Sequence, residues 1–220
     1  MSYHVRIKIC GVTNEADGVQ AARLGADAVG LNFAAESPRR IDFATAKFVL
    51  RELPPFVEAV GVWVNRPLQK VFAEAHQLGR IRTVQWHGQK RELCDAYPFQ
   101  VIQAFQVRDR AALAEVERYL EVCKGVGQMP AAVLVDGYAA GQHGGTGTKA
   151  PWGLIAEFRP TVPLILAGGL TPENVAEAVR VVRPYAVDVA SGVEHAVGHK
   201  DPEKVRRFID AVRSAAAGLR

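Results

Sequence analysis

Apolar and polar positions along the chain follow two rhythms that alternate. Val5-Arg6-Ile7-Lys8-Ile9-Cys10 has period two and is rich in β-branched residues, so it predicts a strand with Val5, Ile7 and Ile9 on one face. Arg6, Lys8 and Cys10 fall on the other face. The period then changes to that of an amphipathic helix over Asn14 to Leu24, with Gly25 placed to end it. This strand-then-helix pair recurs down the chain. Further strands are predicted at 28–33, 59–64, 83–88, 100–107, 132–136, 163–169 and 186–190. Helices are predicted at 42–53, stopped by Pro54-Pro55, and at 68–77, 90–96, 110–123 and 201–217. Another begins near Pro151-Trp152, and one is opened by Thr171 as N-cap with Pro172 at the first helical position.

Eight strand-helix units in 220 residues predict an α/β chain folded as a single-domain (β/α)8 TIM barrel over residues 1–220. The nearly continuous apolar strands fit a parallel sheet covered by helices. An open doubly wound sheet is the alternative, but it should carry a nucleotide-binding turn after its first strand. Cys10-Gly11-Val12-Thr13-Asn14 cannot serve as one. No linker or shift in composition divides the chain.

Composition narrows the function classes. Apolar residues make up 49% of the chain, and a net charge of +4 is spread along it rather than gathered into a patch. That argues against a nucleic-acid partner and suits a small anionic substrate. Three cysteines give no disulfide framework and point to a reducing, cytoplasmic setting. No apolar run reaches the ~18 residues of a membrane span, so no membrane partner is expected. Six histidines occur, but none falls in a metal-ligand spacing, and no structural metal is expected.

In such a barrel the chemistry sits at the C-terminal ends of the strands. Those ends supply Cys10, Asn32 with the following Arg39, His87, Asp136, Gly168-Gly169 and Ser191-Gly192. A cysteine at a strand end is ordinarily a small buried hydrophobe, and only a lowered pKa makes it reactive. Asp136 shares a face with Ala132 and Leu134 and precedes a glycine-rich stretch, so no nearby helix needs it as a cap. Cys10 and Asp136 therefore both point into the mouth. Asp188 lies on the inner face of the last strand, beside the first, and is expected to pair with Lys8 because a buried charge needs a partner. Gly144, Gly145, Gly168, Gly169 and Gly192, with Ser191, fall in the last three loops, where backbone N–H groups can hold a phosphate. Trp63 and Trp86 are expected in the core, Cys94 and Cys123 as packing residues, and His143, His195 and His199 in solvated loops.

These residues carry a resemblance. Lys8-Ile9-Cys10-Gly11-Val12-Thr13, Ser37-Pro38-Arg39, Val84-Gln85-Trp86-His87-Gly88, Gly144-Gly145-Thr146-Gly147, Ala167-Gly168-Gly169-Leu170 and Asp188-Val189-Ala190-Ser191-Gly192-Val193-Glu194 are similar, in order, to the phosphoribosylanthranilate isomerases of tryptophan biosynthesis. The resemblance implies a cofactor-free barrel enzyme, monomer or homodimer. It rearranges N-(5-phosphoribosyl)anthranilate to 1-(2-carboxyphenylamino)-1-deoxyribulose 5-phosphate. It implies Cys10 as general base, Asp136 as general acid, Arg39 on the anthranilate carboxylate, and the glycine loops with Ser191 on the phosphate. Trp86, Ala190 and Ala150-Pro151-Trp152 depart from the usual Leu, Ser and Phe-Asp-Trp. A ribulose-phosphate epimerase would need metal-ligating His and Asp at strand ends. A dual-substrate aminoaldose isomerase would need paired Asp where Cys10 stands, and a barrel that only binds phosphorylated ligands would need neither acid nor base.

Overall fold

Ile7 and Ile9 face one way from the first strand, Lys8 and Cys10 the other, and each face belongs to a different compartment. The computed structural model describes residues 3–88, 98–137 and 152–219. In it eight strands close into a barrel: β1 (Arg6–Cys10), β2 (Ala28–Asn32), β3 (Glu58–Val64), β4 (Thr83–His87), β5 (Gln100–Gln106), β6 (Ala132–Asp136), β7 (Leu164–Ala167) and β8 (Ala186–Val189). Neighbours pair in parallel, and β8 returns to β1 with Asp188 opposite Lys8. The helices are α1 (Glu15–Leu24), α2 (Phe43–Glu52), α3 (Leu68–Leu78), α4 (Arg110–Gly125), α5 (Trp152–Glu157), α6 (Val175–Val182) and α7 (Pro202–Ala217).

The outward strand face, including Ile7, Ile9, Val133 and Val135, packs with the apolar stripes of the helices in one continuous core. Burying each such side chain contributes roughly 1.5–3 kcal/mol. Trp63 and Trp86 belong to this layer, their indole N–H groups bonded to Glu74 and to the Arg66 carbonyl. Cys123 is buried there too. The barrel interior is a second, smaller cluster built from Val60, Ile102, Leu134 and Ile165 with alanines at 104, 132, 167 and 186. Asn14, Asp42, Asp109 and Asp201 cap α1, α2, α4 and α7 by accepting backbone N–H bonds. Each cap is worth about 1 kcal/mol.

One expectation is met in its hydrogen bonds and one changes. Regular α6 is Val175–Val182, and Thr171 caps the turn that leads into it: its carbonyl accepts the Val175 N–H at 3.0 Å, its Oγ1 accepts the Glu173 N–H, and Asn174 Oδ1 reaches back to the Thr171 N–H at 2.8 Å. Thr171 and Asn174 thus each satisfy a backbone donor at the helix start, with Pro172, which has none, between them. His195 and His199 are exposed, but they lie on a small antiparallel hairpin of β9 (Glu194–Ala196) and β10 (His199–Lys200) rather than in a loop. The predicted helix at 90–96, Cys94, His143 and the 144–151 stretch lie outside the described residues.

At the N-terminal end of the barrel a cavity of about 360 Å³ is lined by residues that include Ala28, Val60, Ala132 and Ala186, with Phe56 also on its lining. Phe56 is 99% exposed.

Candidate active site

Cys10 ends β1 at the opposite, C-terminal end of the barrel, and it is buried. Its register partner on β2 is Gly30. A Cβ at position 30 would stand 2.6 Å from the Cys10 sulfur and 3.1 Å from Lys8 Cε, so the sulfur and the lysine stem occupy the space that a side chain there would take. A glycine inside a strand commonly marks such a close approach.

Beneath the sulfur, Lys8 is buried and donates to Asp188 Oδ1 and to Gln85 Oε1, each at 2.9 Å. Burial alone would pull the Lys8 ammonium down, but the charge of Asp188 and the nearby thiol together hold it above its ordinary range. The cation is therefore permanent at neutral pH.

A second ionic cluster reaches Cys10 from outside the barrel. Glu194 of β9 accepts Arg39 Nε at 2.8 Å and Nη2 at 2.7 Å, a two-pronged pair, and Lys200 of β10 donates to the same carboxylate at 2.7 Å. Burial pushes the Glu194 carboxyl up, yet the hydrogen bonds and charges of Arg39 and Lys200 outweigh it and hold the group below the usual carboxylate range. Lys200 also donates to the Ala190 carbonyl, and its side chain is only 2% exposed. Burial lowers its ammonium pKa despite Glu194. The hairpin itself is stitched down by Thr13 Oγ1 donating to the Gly198 carbonyl, Lys204 donating to the Glu194 carbonyl, and the Lys200 N–H donating to Asp17.

The thiol thus sits among three cations, Lys8, Lys200 and Arg39, and two carboxylates, Asp188 and Glu194. Burial pushes the Cys10 thiol above its ordinary 9.0, with Asp188 adding to the rise, while Lys8 and Lys200 pull against it. The resting group is a neutral thiol with a ready charge partner.

The remaining expected residues fall as follows. Asp136 ends β6, half-buried, on the face of Ala132 and Leu134 that fills the barrel interior. Arg39 follows Ser37, whose Oγ accepts the Arg39 N–H and the Asn32 amide, so the loop after β2 is tied to the strand end. Expected as a carboxylate binder, Arg39 has its Nε and Nη2 edge on Glu194, and Nη1 takes no part in that pair. Gly168 and Gly169 both adopt left-handed backbone, with φ of 92° and 64°. Ser191 is exposed and opens a single 3-10 turn, Ser191–Val193. A Cβ on Gly192 would lie 1.9 Å from the Leu170 carbonyl oxygen, so the loops after β7 and β8 touch backbone to backbone. Gly144 and Gly145 lie outside the described residues. Among the described residues no group of three or more His, Cys, Asp or Glu is arranged to hold a metal ion.

Sequence reading did not single out Gln85, Gly30, Glu194 or Lys200. Gln85 and Gly30 carried a signal, an amide and a bare backbone on strand faces that parity sends inward or against a neighbour. Glu194 carried only its place at the end of the Asp188–Glu194 motif, and Lys200 none beyond charge.

A closed parallel barrel with a thiol and a carboxyl at two strand ends, and backbone turns at the last two, is the layout of a barrel enzyme that moves protons on a small anionic molecule. The family model of N-(5'-phosphoribosyl)anthranilate (PRA) isomerase matches residues 7–211, and the chain belongs to that family. It is 45% identical over 206 residues to the N-(5'-phosphoribosyl)anthranilate isomerase of Geobacter sulfurreducens, covering 93% of this chain and 97% of the relative. Among solved structures it is similar to phosphoribosyl anthranilate isomerase from Thermotoga maritima, with a TM-score of 0.84, 39% identity, and coverage of 96% of this chain and 100% of the other. Another structure of the isomerase, in complex with reduced 1-(o-carboxyphenylamino)-1-deoxyribulose 5-phosphate, aligns with a TM-score of 0.80 and 38% identity, over 96% of this chain and 100% of the other.

Proposed function

We propose that this chain catalyses the Amadori rearrangement of N-(5-phosphoribosyl)anthranilate to 1-(2-carboxyphenylamino)-1-deoxyribulose 5-phosphate, the isomerase step of tryptophan biosynthesis. Family membership over residues 7–211 carries this reading. The position of Cys10 and Asp136 on inner strand ends supports the assignment of the chemistry to them.

Asp136, as the acid, gives its proton to the furanose ring oxygen, and the ring opens to an iminium at C1′. Cys10, as the base, removes the proton on C2′, and the resulting enolamine tautomerises to the ketone. Only enzyme whose thiol has lost its proton to water can perform the second step, and the C2′ proton restores the thiol. Ring opening places the iminium cation on the substrate and leaves Asp136 as a carboxylate, so the mouth gains one charge of each sign. Lys8, held by Asp188, supplies a fixed ammonium to the same sulfur. Arg39 takes the anthranilate carboxylate on the edge that Glu194 leaves open. The turns at Gly168, Gly169, Ser191 and Gly192, with Gly144 and Gly145, hold the phosphate. The two assigned steps are proton transfers between a side chain and substrate and the last is a tautomerisation, so the assignment calls on no cofactor.

The free thiols of Cys10 and Cys123 support a reducing, cytoplasmic setting. No helix among the described residues is long and apolar enough to cross a membrane. Of monomer and homodimer we favour the homodimer, because Phe56, 99% exposed, stands on the lining of the cavity at the N-terminal face, where an isologous contact would cover it. One related structure is described as monomers generated from the dimeric Thermotoga maritima enzyme. Sedimentation should then give a dimer for the natural chain and a monomer for Phe56→Ser.

Fluorescence of phosphoribosylanthranilate, followed as the purified protein consumes it, tests the activity. Turnover is expected for the natural chain, and its absence under conditions where the fold is intact would overturn the reading.

A further inference from the structure

Three polar side chains form a line of fixed direction inside the barrel. Lys8 can only donate, and it meets Gln85 Oε1 at 2.9 Å. The amide nitrogen of Gln85 is thereby turned the other way, where it lies 2.8 Å from His87 Nε2. An amide nitrogen also only donates, so the ring nitrogen has to accept. Turning the amide over would set its NH2 against the ammonium and leave two donors face to face. Lys8 cannot swing away to relieve this, because it is buried and bonded to Asp188 at 2.9 Å. Removing it from its partners would leave a buried charge unpaired.

We propose that Gln85 is a positioning residue that carries the polarity of the Lys8–Asp188 pair to His87 and holds that imidazole neutral, with Nε2 bare and the proton on Nδ1. His87 ends β4 on the same face as Gln85, half-buried near the mouth, which makes it the one ring that could rival Cys10 for a proton among the inward strand ends described above. In the proposed tautomer its single lone pair is already occupied by the Gln85 amide. The proton on C2′ is left to the thiol. That consequence rests on the isomerase reading, whereas the tautomer itself does not.

The test is long-range 1H–15N correlation NMR on the intact protein labelled at histidine ring nitrogens, with the His87 signals assigned by their loss in His87→Asn. At neutral pH the expected pattern is a single tautomer, Nε2 unprotonated and Nδ1 protonated. A protonated Nε2, or a doubly protonated ring, would overturn the proposal whatever the activity assay gives. Gln85→Glu keeps the shape and the acceptor for Lys8 but presents an oxygen to His87 as well, so Nε2 should become protonated. An unchanged bare Nε2 in that variant would overturn the relay. Loss of turnover with the tautomer as expected would count against the catalytic reading alone.

Discussion

Two ionic clusters bracket the same sulfur, and they were built in different ways. The inner one, Lys8 with Asp188 and Gln85, comes from regular strands: β1 and β8 are adjacent, and register sets Lys8 opposite Asp188. The outer one, Arg39 with Glu194 and Lys200, comes from a loop and from both strands of a short hairpin, three and two residues long. The inner cluster fixes a charge that cannot move. The outer cluster holds its arginine by Nε and Nη2 and leaves the side chain 21% exposed. Lys8, Asp188, Glu194 and Lys200 are buried and Arg39 is only half-buried; under the proposed function the inner set supports the thiol and the outer one meets substrate.

Separating the two experimentally starts with the inner cluster. Lys8→Met should destabilise the protein by about 3–5 kcal/mol, because it strands Asp188 without its cation, and Lys8→Met with Asp188→Leu should recover most of that loss. Urea unfolding measures both, and a single variant that unfolds at the natural midpoint would remove the inner cluster from the stability account. Next comes the chemistry between the clusters. Cys10→Ala and Asp136→Asn should each lower kcat by ~10²-fold or more while a product analogue still binds. Near-normal turnover in either variant would reassign that role.

The outer cluster should respond differently. Glu194→Gln lets Arg39 drift and should raise KM about tenfold with kcat little changed, the mark of binding lost equally from ground and transition states. An equal fall in kcat and kcat/KM would instead place Glu194 with the chemistry. The smallest effects are those of pH. Because the Cys10 thiol is pushed above 9.0 by burial and Asp188, kcat/KM should climb as pH rises through that raised value, and Lys200→Met should move the climb higher. In stability the sign is reversed: the neutral buried thiol contributes below 9.0, and that contribution fades as pH rises through the folded value. Glu194, held below its ordinary 4.5, contributes above that pH and loses its effect as pH falls through its folded value. Thermal melts across both ranges would show it.

The contrast also explains what could be read from sequence. Strand parity puts Lys8, Cys10, Asp136 and Asp188 on inner faces, since a period of two allows no other choice once Ile7 and Val133 are given to the helix layer. Closure of eight units then makes first and last strands neighbours, so Lys8 and Asp188 meet. Gln85 was open to the same logic, because an amide on the inner face of β4 has to find partners. Glu194 and Lys200 were not. A hairpin of three and two residues has too short a pattern to show a period, and its strands pair across a register shift. Thr171 was legible because a Thr followed by Pro opens a helix, and its hydroxyl does take the Glu173 N–H there.

Gly30 and Cys10 amount to one choice written at two positions. The sulfur occupies space on β1 that exists only because β2 has no side chain beside it. Moving the thiol into another barrel would require moving that vacancy with it, and enlarging position 30 would displace both the sulfur and the lysine beneath it. Substitutions at the two sites should therefore behave as a coupled pair: a small residue at 10 would relax the demand for glycine at 30, and no change at 30 alone would leave the sulfur where it is.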